Sequence, residues 1–164
     1  MRSFFLNTVS ISLFVIFSLT GSYAQPTSDS LHKIFLAPTF SLLEDYSGDW
    51  GGYSHTFTFT RKDTCVDIIW QDPDFPDGEA PRELKISYPL SEIKKIESMF
   101  NSCIEQINSS KDISTEHSKY IFKSKDLSCI MDDRSTMKCV EILKEWKQEL
   151  FRKGIEQEKI RKKK

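Results

Sequence analysis

The sequence predicts an α+β fold: an antiparallel meander sheet of about five strands, in the order β-β-β-α-β-β-α, with two helices packed on one face. Two observations support this class. Apolar and polar residues alternate in short segments separated by turn residues, which is typical of half-buried strands. Elsewhere apolar residues recur every three or four positions, which is typical of helices that bury one side.

The first three predicted strands follow one another along the chain. Residues 53–60 alternate between aromatic or histidine side chains and Ser or Thr, directly after a glycine-rich turn at 47–52. Residues 65–70 and 82–88 also alternate, and Pro89 ends the third strand. Because only a short turn separates the first two segments, we expect them to form a hairpin.

Each of the two predicted helices has one apolar side. The first covers residues 91–107, where apolar side chains stand three or four positions apart at Ile93, Ile96, Phe100, Cys103 and Ile107. The second begins between residues 132 and 135 and ends near Arg152, with Val140, Leu143, Trp146 (or Lys147) and Leu150 on its inner side. Both helices therefore fit a single covering layer on the sheet.

The remaining apolar segments are shorter. Residues 119–123 and 127–131 are predicted to pair as the fourth and fifth strands. Residues 31–45 contain Pro38, which rules out one continuous helix. We therefore expect two short pieces there that cover part of the core.

The first 24 residues have the pattern of a secretory signal peptide. Arg2 supplies a positive charge, an apolar run of about 11 residues follows, and Ser22-Tyr23-Ala24 places small residues at a cleavage site. A membrane-spanning helix needs about 20 apolar residues, so this run is too short to span. We expect an exported protein, periplasmic or extracellular, with one α+β domain over 25–151, a basic tail over 152–164 that is frayed or disordered, and no transmembrane segment after signal removal.

All four cysteines follow the predicted cleavage site. An even number of cysteines in an oxidising compartment predicts two disulfides among Cys65, Cys103, Cys129 and Cys139. We favour Cys65–Cys103 with Cys129–Cys139 slightly over the other two pairings, because the latter two residues flank a short connection. Free thiols and a metal site are the alternatives, and the absence of any Cys-x-x-Cys pair argues against metal. We predict no metal and no cofactor.

The motifs do not predict an enzyme. Ser91 and Lys94 match the Ser-x-x-Lys pattern of penicillin-recognising enzymes, but a second match occurs later in the chain, and Lys-Thr-Gly is absent. Both serines are better explained as helix N-caps. His55 shares a strand face with Tyr53 and Phe57, so a core or interface histidine is the favoured interpretation. We therefore expect a protein without catalytic residues.

Charge is distributed unevenly. Residues 25–151 carry 22 acidic and 15 basic side chains, whereas residues 152–164 carry seven basic and two acidic ones. An acidic body argues against nucleic acid as the partner, because phosphate binding requires a basic surface. The composition favours an unidentified protein partner that is itself basic.

The acidic segment at 72–81, stiffened by three prolines, is the most suggestive part of the chain. Two interpretations of this segment are favoured: a solvated loop, or a partner-binding loop with an apolar residue at its tip. Calcium is a weaker alternative, since Pro76 and Asp77 stand where an EF-hand has an oxygen ligand and glycine. Trp50, Tyr53 and Trp70 are candidates for an aromatic patch beside the glycine-rich turn, although a core role is favoured for them. The predicted partner-binding residues are Asp72, Asp74, Phe75, Asp77, Glu79, Trp50 and Tyr53.

The favoured function is that of a small exported, disulfide-stabilised binding protein. It would hold a basic partner through an acidic surface, as inhibitors and immunity-type proteins do. One alternative is a structural envelope component whose basic tail contacts a polymer or a membrane. A small carboxylate-dependent hydrolase is less favoured, because the sequence shows no convergent pair of carboxylates.

Overall fold

The structure, a computed structural model, describes residues 27–48, 51–71, 83–109, 117–134 and 138–163. It is an α+β fold with a six-stranded antiparallel sheet and three α-helices, which confirms the predicted class. The sheet has one strand more, and the chain one helix more, than expected. The predicted signal peptide lies outside the described residues. The elements are α1 (Ser28–Leu36), β1 (Thr39–Gly48), β2 (Gly51–Arg61), β3 (Cys65–Gln71), β4 (Glu83–Pro89), a 3-10 turn (Leu90–Glu92), α2 (Ile93–Ser109), β5 (His117–Ser124), β6 (Ser128–Asp133) and α3 (Lys138–Arg161).

The additional strand, β1, is central to the sheet, whose order is β4-β3-β2-β1-β5-β6. It pairs antiparallel with β2 on one side and with β5 on the other. Its alternation is hidden in the sequence because Leu42 and Leu43 are neighbours: Leu42 enters the core and Leu43 lies on the opposite face. Pro38 separates β1 from α1, so the two expected pieces are a helix and a strand.

The strand register brings four chain connections to one end of the sheet. Gly48 pairs with Gly51 and Ser47 with His117, so β1, β2 and β5 have neighbouring ends there. β3 and β4 are joined toward the same end, where Gln71 pairs with Glu83, but Gln71 is level with Thr56, five positions from Gly51. β6 also ends there, because Asp133 pairs with Ser118. We call this the connection end; the segments that attach to it are 49–50, 72–82, 110–116 and 135–137.

All three helices cover the same face of the sheet. Along the central part of each strand, every second residue is buried on that face. Ring contacts from each helix reach it, with centroid separations of 4.8 Å for Phe35–Phe40 (α1), 4.8 Å for Phe100–Phe122 (α2) and 5.2 Å for Trp146–Phe57 (α3). The core is therefore an aromatic layer between one sheet face and three helices.

The opposite face has no helix packed on it among the described residues. Ser, Thr and charged side chains predominate there, together with Leu43, Ile121 and Ile130, which are neighbours in register. These three aliphatic side chains are only half-buried. We call this the open face. Antiparallel sheets commonly have one such solvated side.

α3 extends to Arg161, so the expectation of a frayed tail from residue 152 onward is wrong for the part of the tail that is described. The last turns lie along edge strand β4. The Gln157 side chain accepts from the Ser87 N–H at 2.8 Å and donates to the Ser87 carbonyl at 2.9 Å. Arg161 donates to the Lys85 carbonyl at 3.2 Å. These side chains satisfy backbone groups of β4 that would otherwise lack a partner at the sheet edge. The contacts therefore fix the end of α3 against the sheet.

None of the helices in the described ranges is both long enough and apolar enough to cross a membrane.

Replacing Gly154 with alanine should destabilise the fold, although alanine favours helices. Gly154 is buried, and an added Cβ would lie 2.5 Å from Leu84 Cγ in the core. Helix propensity gains about 1 kcal/mol, while overpacking costs about 1–3 kcal/mol. We expect Gly154→Ala to lower the free energy of unfolding by about 1 kcal/mol in urea titrations. Exposed Gln148→Ala is the control, and a more stable Gly154→Ala protein would contradict this packing.

Candidate functional site

Of the seven predicted partner-binding residues, one lies among the described residues. Tyr53 belongs to β2, near the hairpin that joins β1 to β2 at the connection end. The other six, Trp50, Asp72, Asp74, Phe75, Asp77 and Glu79, lie outside the described residues. The register nevertheless fixes where their segments attach, since Gly51, Gln71 and Glu83 all lie at this end.

The four segments that attach to the connection end hold much of the acidity of the chain. Together they carry seven acidic and two basic side chains. The described residues carry 17 acidic and 19 basic side chains, which is close to neutral. The acidic character seen in the composition therefore belongs mainly to segments whose flanking strands end on the same side of the sheet.

A buried carboxylate, Glu44 of β1, lies at the same end of the helix-covered face and is 2 % exposed. The alternation that places Phe40 and Leu42 in the core also places Glu44 there. His55 of β2 is its direct register partner. Lys147 reaches Glu44 from α3, with its side chain 12 % exposed. A charged pair is thus enclosed between the sheet and a helix.

Three side chains surround the Glu44 carboxylate. Lys147 Nζ donates to both oxygens, at 3.0 Å to Oε1 and 2.8 Å to Oε2. His55 Nδ1 lies 3.2 Å from Oε2, and the Tyr53 hydroxyl donates to Oε1 at 3.3 Å. We call these four residues the Glu44 cluster. Both carboxylate oxygens are occupied by neighbours within the protein.

The Glu44 cluster keeps the carboxylate ionised. Burial raises the pKa of Glu44, but the hydrogen bond with His55 and the positive charge of Lys147 outweigh burial and lower the pKa below its ordinary value. An ionised carboxylate can only accept hydrogen bonds. His55 therefore carries a proton on Nδ1 in this contact.

Tyr53 links the cluster to the surface. Its ring stacks on Tyr46 of β1 at a centroid separation of 5.1 Å, and Lys147 Nζ lies 4.8 Å from its ring centroid. Burial and the charge of Glu44 raise the pKa of Tyr53, so its hydroxyl stays protonated and donates to Glu44. Both tyrosines are half-buried. The cluster therefore fixes two aromatic side chains beside the hairpin of the connection end.

A second row of buried polar side chains lies next to the cluster. Ser118 of β5 pairs with Tyr46 on one side and with Asp133 of β6 on the other, and Tyr120 pairs with Glu44. Ser118, Asp133 and Tyr120 are all buried. Burial, together with the charge of Glu44, raises the pKa of Tyr120. The connection end of the core is thus polar.

Sequence reasoning missed Glu44 and Lys147. The sequence pattern that could have identified them is a charged residue at a position where the spacing of apolar residues predicts a core side chain. It is visible for Glu44 only once residues 39–48 are recognised as a strand. Chemically, the cluster can position Tyr53 and the hairpin. Its carboxylate is enclosed and fully engaged, so this arrangement supports a positioning role.

The cysteines do not follow the favoured pairing. All four are thiols in the structure. Cys65 lies on the open face, next to Asp67, whereas Cys103 is buried beneath α2 on the covered face, so the sheet separates them. Cys139 instead approaches Cys103 to 3.2 Å. The pairs Cys65–Cys103 and Cys129–Cys139 are therefore not supported.

Within the described ranges, no three His, Cys, Asp or Glu side chains converge as they would around a metal ion. Comparison with known proteins gives no assignment, since no family model, curated protein or solved structure matches the chain. The function must therefore be argued from the connection end and its Glu44 cluster.

Proposed function

We propose that this chain is an exported binding protein without catalytic activity, which holds a basic protein through its connection end, as an inhibitor or immunity-type protein would. The observation that carries the proposal is the attachment of four segments, seven of whose side chains are acidic, at one end of the sheet. Acidic groups gathered in one region speed association with a basic partner and select against acidic ones.

The Glu44 cluster is a second argument for a binding surface at the connection end. It holds Tyr46 and Tyr53 in place beside the hairpin before any partner binds. Aromatic side chains at interfaces contribute strongly to affinity, and fixing them beforehand lowers the ordering cost of binding. A rigid, half-buried aromatic pair next to acidic segments suits a protein partner.

Export to the periplasm or the extracellular space is part of the proposal and rests on the signal-peptide pattern of the first 24 residues. The alternative of an envelope component attached through its basic tail has less support. The described end of that tail packs against β4, where Arg161 bonds to the Lys85 carbonyl. The connection end offers the more specific surface.

The test compares two variants that each remove four negative charges. The first carries Asp72→Asn, Asp74→Asn, Asp77→Asn and Glu79→Gln at the connection end. The second neutralises at least partly exposed acids at the opposite end of the sheet and late in α3, through Asp63→Asn, Glu92→Gln, Asp126→Asn and Glu156→Gln. A partner is captured on immobilised wild-type protein from the exported fraction of the producing cells, purified, and titrated calorimetrically against each variant.

We expect the connection-end variant to bind at least about tenfold more weakly than wild type at low salt, with a smaller dependence on ionic strength. The control variant should bind as wild type does, because its charges lie away from this end. Equal affinities of the two variants, or a captured partner with no excess of basic residues, would refute the proposal.

A further inference from the structure

Two of the four cysteines meet where α2 and α3 pack together. Cys103 of α2 and Cys139 in the first turn of α3 are both fully buried and approach to 3.2 Å. The Cys139 thiol also lies 3.7 Å from the Cys103 carbonyl oxygen. A disulfide needs an S–S distance of about 2.05 Å. Bond formation therefore has to close a remaining gap of about 1 Å.

The other two cysteines are held apart by the fold. Cys129 of β6 faces the helices and contacts Ser30 of α1, and burial raises the pKa of the Cys129 thiol to about 11. Cys65 begins β3 on the open face. Since the sheet lies between Cys65 and Cys129, they cannot bond to each other without unfolding.

We propose that Cys103 and Cys139 form one disulfide in the folded protein, while Cys65 and Cys129 remain thiols. Oxidised glutathione is the co-reactant in the proposed reaction. The Cys103 thiolate attacks its S–S bond, releases one glutathione thiol and forms a mixed disulfide. Cys139 then displaces the second glutathione thiol. Two protein thiols are oxidised, one glutathione disulfide is reduced, and the two protons pass to the released thiols.

The disulfide would join α2 to the start of α3 across 36 residues, a stretch that contains both β5 and β6. Cross-linking so long a segment restricts the unfolded chain strongly. It would also tie α3 to α2 next to Asp133, where β6 reaches the connection end. Formation of this disulfide in the test below requires neither export nor a partner, because the refolding buffer supplies the oxidant.

The full chain is reduced under denaturing conditions and refolded in a buffer of reduced and oxidised glutathione. One sample is then alkylated in denaturant without reduction, and a second is reduced before it is alkylated. The mass of each is measured by mass spectrometry. We expect two alkyl groups before reduction and four after it, with a peptide that links Cys103 to Cys139. No alkyl groups, four alkyl groups, or a different linked pair before reduction would each overturn the proposal.

Thermal unfolding gives a second readout. Oxidised wild type should melt about 10 °C above the protein refolded with reductant. Cys129→Ser, another buried cysteine, is the matched control and should keep that difference. Cys103→Ser should lose it, since each variant is compared with itself under two redox conditions. An unchanged redox difference in Cys103→Ser would overturn the pairing even if the variant is less stable overall.

Discussion

Replacing Lys147 with methionine is expected to lower the free energy of unfolding by about 3–5 kcal/mol. Lys147 donates to both oxygens of Glu44, a carboxylate that is 2 % exposed. Methionine keeps the unbranched stem of the side chain but removes the charged Nζ, so the carboxylate is left buried with His55 and Tyr53 as its partners. An uncompensated buried charge is among the most costly defects in a fold.

Urea titrations of four proteins test this expectation: wild type, Lys147→Met, Lys144→Met and the double variant Glu44→Gln with Lys147→Met. Lys144 is exposed on the same helix, so its replacement should change stability by about 0.5 kcal/mol or less. The double variant should be more stable than Lys147→Met alone, because glutamine removes the charge left unpaired. Equal losses for Lys147→Met and Lys144→Met would contradict the geometry of the cluster.

The same cluster predicts a dependence on pH. The folded protein holds the pKa of Glu44 below its ordinary value of 4.5, so the ionised carboxylate contributes stability above about pH 4.5. That contribution falls as the pH drops from 4.5 toward the folded pKa. The stability difference between wild type and Glu44→Gln should therefore shrink between pH 5 and pH 3. A constant difference would show that Glu44 is not stabilised in its ionised form.

Trp146→Ala is expected to cost about 3–5 kcal/mol of folding free energy. The Trp146 ring joins α3 to the sheet and to α2, with centroid separations of 5.2 Å to Phe57, 6.5 Å to Phe59 and 6.1 Å to Phe100. Alanine would leave a large cavity at the centre of the aromatic layer. Such cavities are only partly closed by relaxation of the neighbouring side chains.

The measurement is a thermal or urea unfolding curve followed by circular dichroism. Trp146→Phe keeps an aromatic ring and should lose less stability than Trp146→Ala. Glu145→Ala, exposed on the same helix, should stay within about 0.5 kcal/mol of wild type. A Trp146→Ala protein as stable as Glu145→Ala would mean that the ring does not join these layers.

Strict alternation made part of the fold predictable. The segments around Phe57, Ile68 and Ile86 bury one face, so sequence periodicity was enough to assign β2, β3 and β4. β1 was not predicted because two apolar residues, Leu42 and Leu43, stand next to each other and hide the alternation. Only the tertiary structure shows which of the two enters the core. For α3, the alternatives at 146 and 147 are both correct in part, since Trp146 fills the aromatic layer and Lys147 reaches Glu44.

The candidate site was less predictable, because its residues are far apart in the chain. Glu44 and Lys147 are 103 positions apart, and no local pattern connects them. Part of the cysteine arrangement could have been predicted from the strand alternation. If Val66 and Ile68 face the core, Cys65 lies on the other side of the sheet. That argument alone excludes Cys103 as its partner. The charges of the connecting segments were visible, but which end of the sheet each segment attaches to depends on the register.

The bonds from the end of α3 to β4 also bear on aggregation. Strands from other molecules add to a sheet where edge backbone groups are unpaired. Gln157 and Arg161 occupy such groups at Ser87 and Lys85, so this edge is closed to strand addition by the chain itself. A chain shortened before Gln157 would have the β4 edge open as well as the edge at β6. Copies joining at both edges can lengthen without limit, so the basic helix end works against fibril growth.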